Sequence, residues 1–160
     1  MAHARSRLLA AACLGVAATL GGCSASNPIT TQYSYAPSDG VRVGLTEEVR
    51  VENLLVLTEG EGAPAHVLGA VVNHSGEDAE VSLRFGEAGA EVPVRVGADE
   101  TVRLSEEGVT VDVEAVPGSM LPATVGASGV GGTEVQVPVL DGTLPEYEHY
   151  LDEVTGAAAA

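Results

Sequence analysis

The sequence predicts an all-β domain, an antiparallel Greek-key sandwich of about seven or eight strands. Three observations carry that prediction. Apolar residues recur with a period of two over most of the chain after Val41. Gly-containing turns separate these runs at intervals of about 8–12 residues, the spacing of a sandwich rather than of strand–helix units. Only one segment, near the C-terminus, carries a helical pattern.

The strands follow in order. Leu54-Leu55-Val56-Leu57 and Val67 to Val72 are apolar on both parities, so they are expected as central strands covered on both faces. Ala79, Val81, Leu83 and Phe85 alternate with Glu80, Ser82 and Arg84, and Val92, Val94 and Val96 with Glu91, Pro93 and Arg95. Val102 and Leu104 alternate with Thr101 and Arg103, and Val109, Val111 and Val113 with Thr110 and Asp112. Each of these is expected to bury one face, with Val81, Leu83, Val92, Val94, Val111 and Val113 pointing inward. Ser105-Glu106-Glu107-Gly108 is expected as a tight hairpin with Gly108 at positive φ. Val116 to Thr133, rich in Gly and Pro, is expected as a long mobile connection with room for a short strand inside it, and Val135 to Leu140 as the last strand.

The chain ends have their own character. Arg5 and Arg7 precede an apolar stretch from Leu8 to Leu20, which is shorter than the ~20 residues of a membrane span and fits a secretory signal. Leu20-Gly21-Gly22-Cys23 resembles a bacterial lipobox. In that class of signals the Cys receives a diacylglyceryl group after cleavage, so Cys23 is the expected lipidation site. Residues 1–22 are then the signal peptide and 23–39 a flexible tether, in which Tyr33 and Tyr35 interrupt a small, polar composition. Residues 40–143 form the sandwich. In 144–160, Thr143-Leu144-Pro145-Glu146 has capping-box spacing, and Leu144, Tyr147, Leu151 and Val154 share a helical face. A short helix followed by a disordered Ala-rich tail is expected there.

Charge and cysteine content exclude several functions. The chain carries 23 acidic residues against seven basic ones, all Arg, for a net charge of −16. Such a surface repels phosphate backbones, so no nucleic-acid partner is expected, and membrane attachment must come from the lipid on Cys23. Cys13 lies in the signal and Cys23 would be alkylated, which leaves no thiol for a disulfide, a redox pair or a thiolate metal site.

No catalytic motif is present. The acidic pairs Glu47-Glu48, Asp99-Glu100 and Glu106-Glu107 fall at turns, without the Asp-x-Asp-x-Asp-Gly spacing of a calcium loop. No Gly-x-Ser-x-Gly elbow surrounds a serine, and Gly126 to Gly132 lacks dinucleotide-loop spacing. The metal-donor candidates outside the signal are His66, His74 and Met120. The two histidines lie eight residues apart in one extended run, about 26 Å at ~3.3 Å per residue, too far to share an ion within one chain. No metal site, cofactor or enzymatic activity is therefore expected.

Val49 to Leu57, Val67 to Asn73 and Glu77-Asp78-Ala79, with Asn53 and Asn73 and an acidic turn, resemble actinobacterial lipoproteins of the LpqE type. Those are distant relatives of the periplasmic copper chaperone family PCu(A)C. The resemblance covers roughly residues 40–140. It implies a cupredoxin-like or immunoglobulin-like sandwich on the extracytoplasmic face of the cell membrane, and a parental role of copper delivery to the terminal oxidase. The chain departs from that family's His and Met set: neither histidine has a Met at comparable spacing, and Met120 has no Met or His beside it. Two functions are thus expected. The first is a metal-free lipoprotein that binds another envelope protein near the respiratory oxidase. The alternative is a carrier of copper or another cation through His66, His74, Met120 or an acidic patch.

Overall fold

A computed structural model describes residues 38–112, 114 and 116–158, with the backbone alone from 152 onward. The signal segment, Cys23, Tyr33, Tyr35 and nearly all of the expected tether lie outside the described residues, as does Val113. The described residues are all-β with one helix: β1 Val41–Gly44, β2 Val49–Thr58, β3 Ala65–Asn73, β4 Ala79–Phe85, β5 Glu91–Val96, β6 Thr101–Arg103, β7 Thr110–Val111, β8 Met120–Ala127, β9 Val130–Leu140 and α1 Pro145–Ala158. No helix among the described residues is long and apolar enough to cross a membrane.

The strands run in the order β5-β4-β8-β9-β2-β3-β6, with β1 added to β2 and β7 to β3. One layer holds β1, β2, β3, β6 and β7, the other β4, β5, β8 and β9, and the chain crosses between layers after β3, β5 and β7 in Greek-key fashion. Among the described strands all pairs are antiparallel but one. β9 leaves its own sheet at its end and joins β2 in parallel, Val56 against Val139 and Leu57 against Leu140, which nearly closes the sandwich into a barrel. Hairpin pairing accounts for the antiparallel contacts of neighbours in sequence. β2 and β9 belong to different hairpins and meet running the same way.

The alternating positions fill the space between the layers. Val81, Leu83, Phe85, Val94 and Val96 meet Leu54, Val56, Val67, Val71, Val125 and Val137 in one buried cluster. Val92 and Val111 are only partly buried at its margin. Leu55 and Leu57 point the other way, into a second cluster with Leu68 and Leu151. α1 thus covers the outer face of β2 and β3, which explains why that run is apolar on both parities. Tyr147 and Tyr150 pack with Leu151, whereas Leu144 is 45% exposed and lies off the buried face. The helix also continues through Gly156 to Ala158, where composition suggests a disordered tail.

Two further expectations are corrected. Residues 116–133 are not a long connection, because they supply β8 and the start of β9, joined by a tight turn with Gly129 at φ 80°. Pro122 is accepted inside β8 because its missing N–H faces the point where β4 has just ended, and its carbonyl accepts the Gly86 N–H at 2.7 Å. β6 and β7, in turn, do not pair with each other. The turn at Ser105–Gly108, with Gly108 at φ 61°, closes on itself and returns the chain in its original direction, so both segments lie along β3.

Candidate functional site

The metal-donor candidates are not brought together. His66 sits half-buried in β3 between Leu57 of β2 and Thr110 of β7. His74 lies just past the far end of β3, exposed, with its Nε2 accepting a hydrogen bond from Arg50 Nη2 at 3.1 Å. Met120 opens β8 in the opposite sheet, across from Pro138 and 53% exposed. His149 packs on Tyr150 on the helix, ring centroids 3.9 Å apart. Among the described residues no group of three or more His, Cys, Asp or Glu side chains is placed to hold an ion. Cys23 lies outside the described residues.

Asn53 and Asn73 have architectural tasks. Asn73 is fully buried at the end of β3. Its Nδ2 donates to the carbonyls of Glu77 (2.8 Å) and Gly97 (2.9 Å), and its Oδ1 accepts from the Ser75 N–H (2.9 Å). One side chain thereby holds two turns from different layers. Asn53 forms a bulge in β2: Glu52 pairs with Ala70 and Leu55 with Leu68, so two residues oppose Gly69. Asn53 takes φ 52°, a conformation its residue type tolerates, and its Oδ1 accepts the Gly40 N–H at 2.8 Å. Gly40 and Gly69 must both be Gly, because a Cβ at Gly40 would lie 2.5 Å from the Asn53 carbonyl carbon and one at Gly69 3.0 Å from its oxygen.

Charged residues single out one surface. Arg42 (2.6 Å) and Arg50 (2.6 Å) both pair with Glu52, Arg95 with Glu80 (3.1 Å) and Arg103 with Glu106 (3.1 Å). The Arg42 guanidinium, opposed by burial and aided by Arg50, holds the Glu52 carboxyl below its usual range. Among the described residues Arg84 alone of the arginines has no such ion pair. It stands on the solvent face of β4, in register with Glu91 of β5 and Thr124 of β8, and Thr124 in turn faces Glu134 of β9. These side chains border an open groove of about 720 Å³ with Ser82, Gly126 and Gly132. Its floor is low because Gly126 and Gly132 meet across the β8–β9 ladder, where a Cβ on Gly132 would come within 2.6 Å of the Thr124 methyl. A second hollow of about 560 Å³ adjoins it on the far side of Arg84, Thr124 and Glu134.

This face can form hydrogen bonds and ion pairs with a ligand laid across the sheet. It offers a guanidinium, two carboxylates and two hydroxyls, with no nucleophile–base pair among them. In the sequence Arg84 is visible only as a polar position of an alternating strand. Its neighbours Thr124, Glu134 and the two glycines fall in the segment expected to be a connection, so nothing in the sequence gathers them.

The fold and this face define an all-β Greek-key sandwich with one open, polar sheet surface. No protein-family model and no curated protein matches the chain.

Proposed function

We propose that this protein is a non-catalytic binding module of the cell envelope. It is held at the extracytoplasmic face of the membrane by a lipid on Cys23, and it recognises another envelope protein through the outer face of β5, β4, β8 and β9. The observation that carries this reading is Arg84, a guanidinium left without an ion pair between Glu91 and Glu134 over a groove floored by glycine. Mixed charges and hydroxyls over low relief suit a protein surface rather than a buried small molecule. The alternative of copper carriage gains nothing from the positions of His66, His74 and Met120.

Site-specific photo-crosslinking in intact cells tests the proposal. A photoreactive side chain at Thr124 is expected to form a discrete adduct with a membrane-fraction protein, lost on Arg84→Glu. The same group at Glu107, in the turn after β6, is expected to form none. Absence of an adduct at Thr124, or tight one-to-one copper(I) binding by the purified chain, would overturn the reading. Recovery of Cys23 unmodified from a soluble fraction would remove the anchoring part of it.

A further inference from the structure

Among the described residues the strand edges of this sandwich are guarded, with one exception. β5 carries Pro93 in mid-strand, and β1, β6 and β7 run only four, three and two residues. β9 is 11 residues long, paired with β8 over most of its length but with β2 only through Val139 and Leu140. The Val139 N–H donates to the Ser119 carbonyl at 3.0 Å, and its own carbonyl accepts from Gly118 at 2.8 Å. By the alternation of an antiparallel ladder, Val137, Val135 and Thr133 also turn their backbone groups toward β8. The N–H and C=O of Glu134 and Gln136 therefore point outward, and among the described residues nothing pairs with them.

Resting on the protein-partner reading above, we propose that the partner docks by adding an extended, cationic segment as a new strand beside Glu134 and Gln136. An unpaired edge supplies main-chain hydrogen bonds, and alternate side chains of the added strand supply specificity. Charge chooses the occupant. The chain carries −16 overall, and Glu134 lies on the edge itself, so a second copy is repelled while basic side chains on the wet face are attracted. The intervening side chains of the added strand continue the inner face beside Val135 and Val137, which favours apolar residues there.

The probe is a synthetic peptide of about eight residues alternating Val and Arg, mixed with the full chain in detergent, with a Val/Glu peptide as control. The Val/Arg peptide is expected to bind, more weakly as salt rises, and to slow amide exchange at Glu134 and Gln136 by about tenfold or more. Gln136→Pro removes one outward N–H and leaves the β8 ladder intact. Pro138, two residues on with the same orientation, shows that the strand accepts proline there. This variant is expected to lose peptide binding, whereas Gln136→Thr keeps it. Glu134→Arg, which leaves the backbone unchanged, is expected to weaken binding even if the proline variant fails to fold. Peptide binding with Glu134 and Gln136 unprotected, or equal binding of both peptides, would overturn strand addition. So would amides already protected in the free chain, which would mean that the chain itself or a second copy covers the edge. A Thr124 adduct that persists unchanged in Gln136→Pro would reject the edge while leaving the partner reading standing, whereas the absence of any adduct in the otherwise unsubstituted chain rejects both.

Discussion

The Tyr147 hydroxyl donates a 2.6 Å hydrogen bond to Asp39 Oδ2, across 108 positions of sequence. It ties the C-terminal helix to the residue just ahead of β1, so the segment leading into the sandwich and the segment leaving it are held at one place. The hydrophobic part of the same docking is Leu151 against Leu55, Leu57 and Leu68.

This link is sensitive to alkali. Partial burial, and then the Asp39 carboxylate, push the Tyr147 hydroxyl up to about 12 from its ordinary value of 10.0. A raised folded value means that the stabilisation is complete below pH ~10 and is lost as pH climbs toward ~12. Helical circular dichroism is expected to fall in that window before the β signal does. Tyr147→Phe should remove the step and, with the pair open to water, cost about 1 kcal/mol or less at neutral pH.

The bulge at Asn53 sets the register of β2 against β3. Asn53→Gly keeps the positive φ and loses only the bond from Gly40, so a small loss of stability is expected. Asn53→Ala loses the bond and strains the backbone, at about 1–2 kcal/mol. Gly69→Ala is expected to be worse, because its Cβ would crowd the Glu52 and Asn53 carbonyl oxygens at a φ of 136°. Urea unfolding of the three variants checks the order, and an Asn53→Gly variant less stable than Asn53→Ala would contradict it.

Asn73 is expected to be the most sensitive polar residue in the domain. Asn73→Ala strands the Gly97 carbonyl and the Ser75 N–H and leaves the Glu77 carbonyl to the Ser75 hydroxyl, at about 2–3 kcal/mol in all. Asn73→Asp keeps the shape but, when ionised, loses both donors, so it should destabilise comparably at pH 7 and less in acid. Thermal melts at pH 7 and pH 4 measure the difference. A near-neutral Asn73→Ala would refute the architectural role.

Copper(I) titration against a competing chelator is expected to show weak binding or none. A site of useful affinity needs two or more soft or imidazole donors on one ion, and His66, His74 and Met120 occupy a strand, its far end and the opposite sheet. Tight binding abolished by Met120→Ala or His66→Ala would restore the carrier alternative.

The sequence by itself determined the fold class and most of the core. Val81, Leu83 and Val94 are buried because period-two patterning in a one-sided strand leaves no other choice of face. The same local logic placed Leu54 to Leu57 between two layers and marked Tyr147 and Leu151 as the docked side of a helix. Tertiary structure decided the rest. β8 and the start of β9 were hidden because Pro122 and the glycines carry local breaker signals, which pairing with β4 overrides. The parallel junction of β9 with β2 and the end-to-end placement of β6 and β7 depend on how the layers cross, which no local pattern records. Arg84, Glu134 and the glycine floor of the groove come from separate hairpins. Only strand register brings them side by side, and register across non-consecutive strands is a property of the folded sheet.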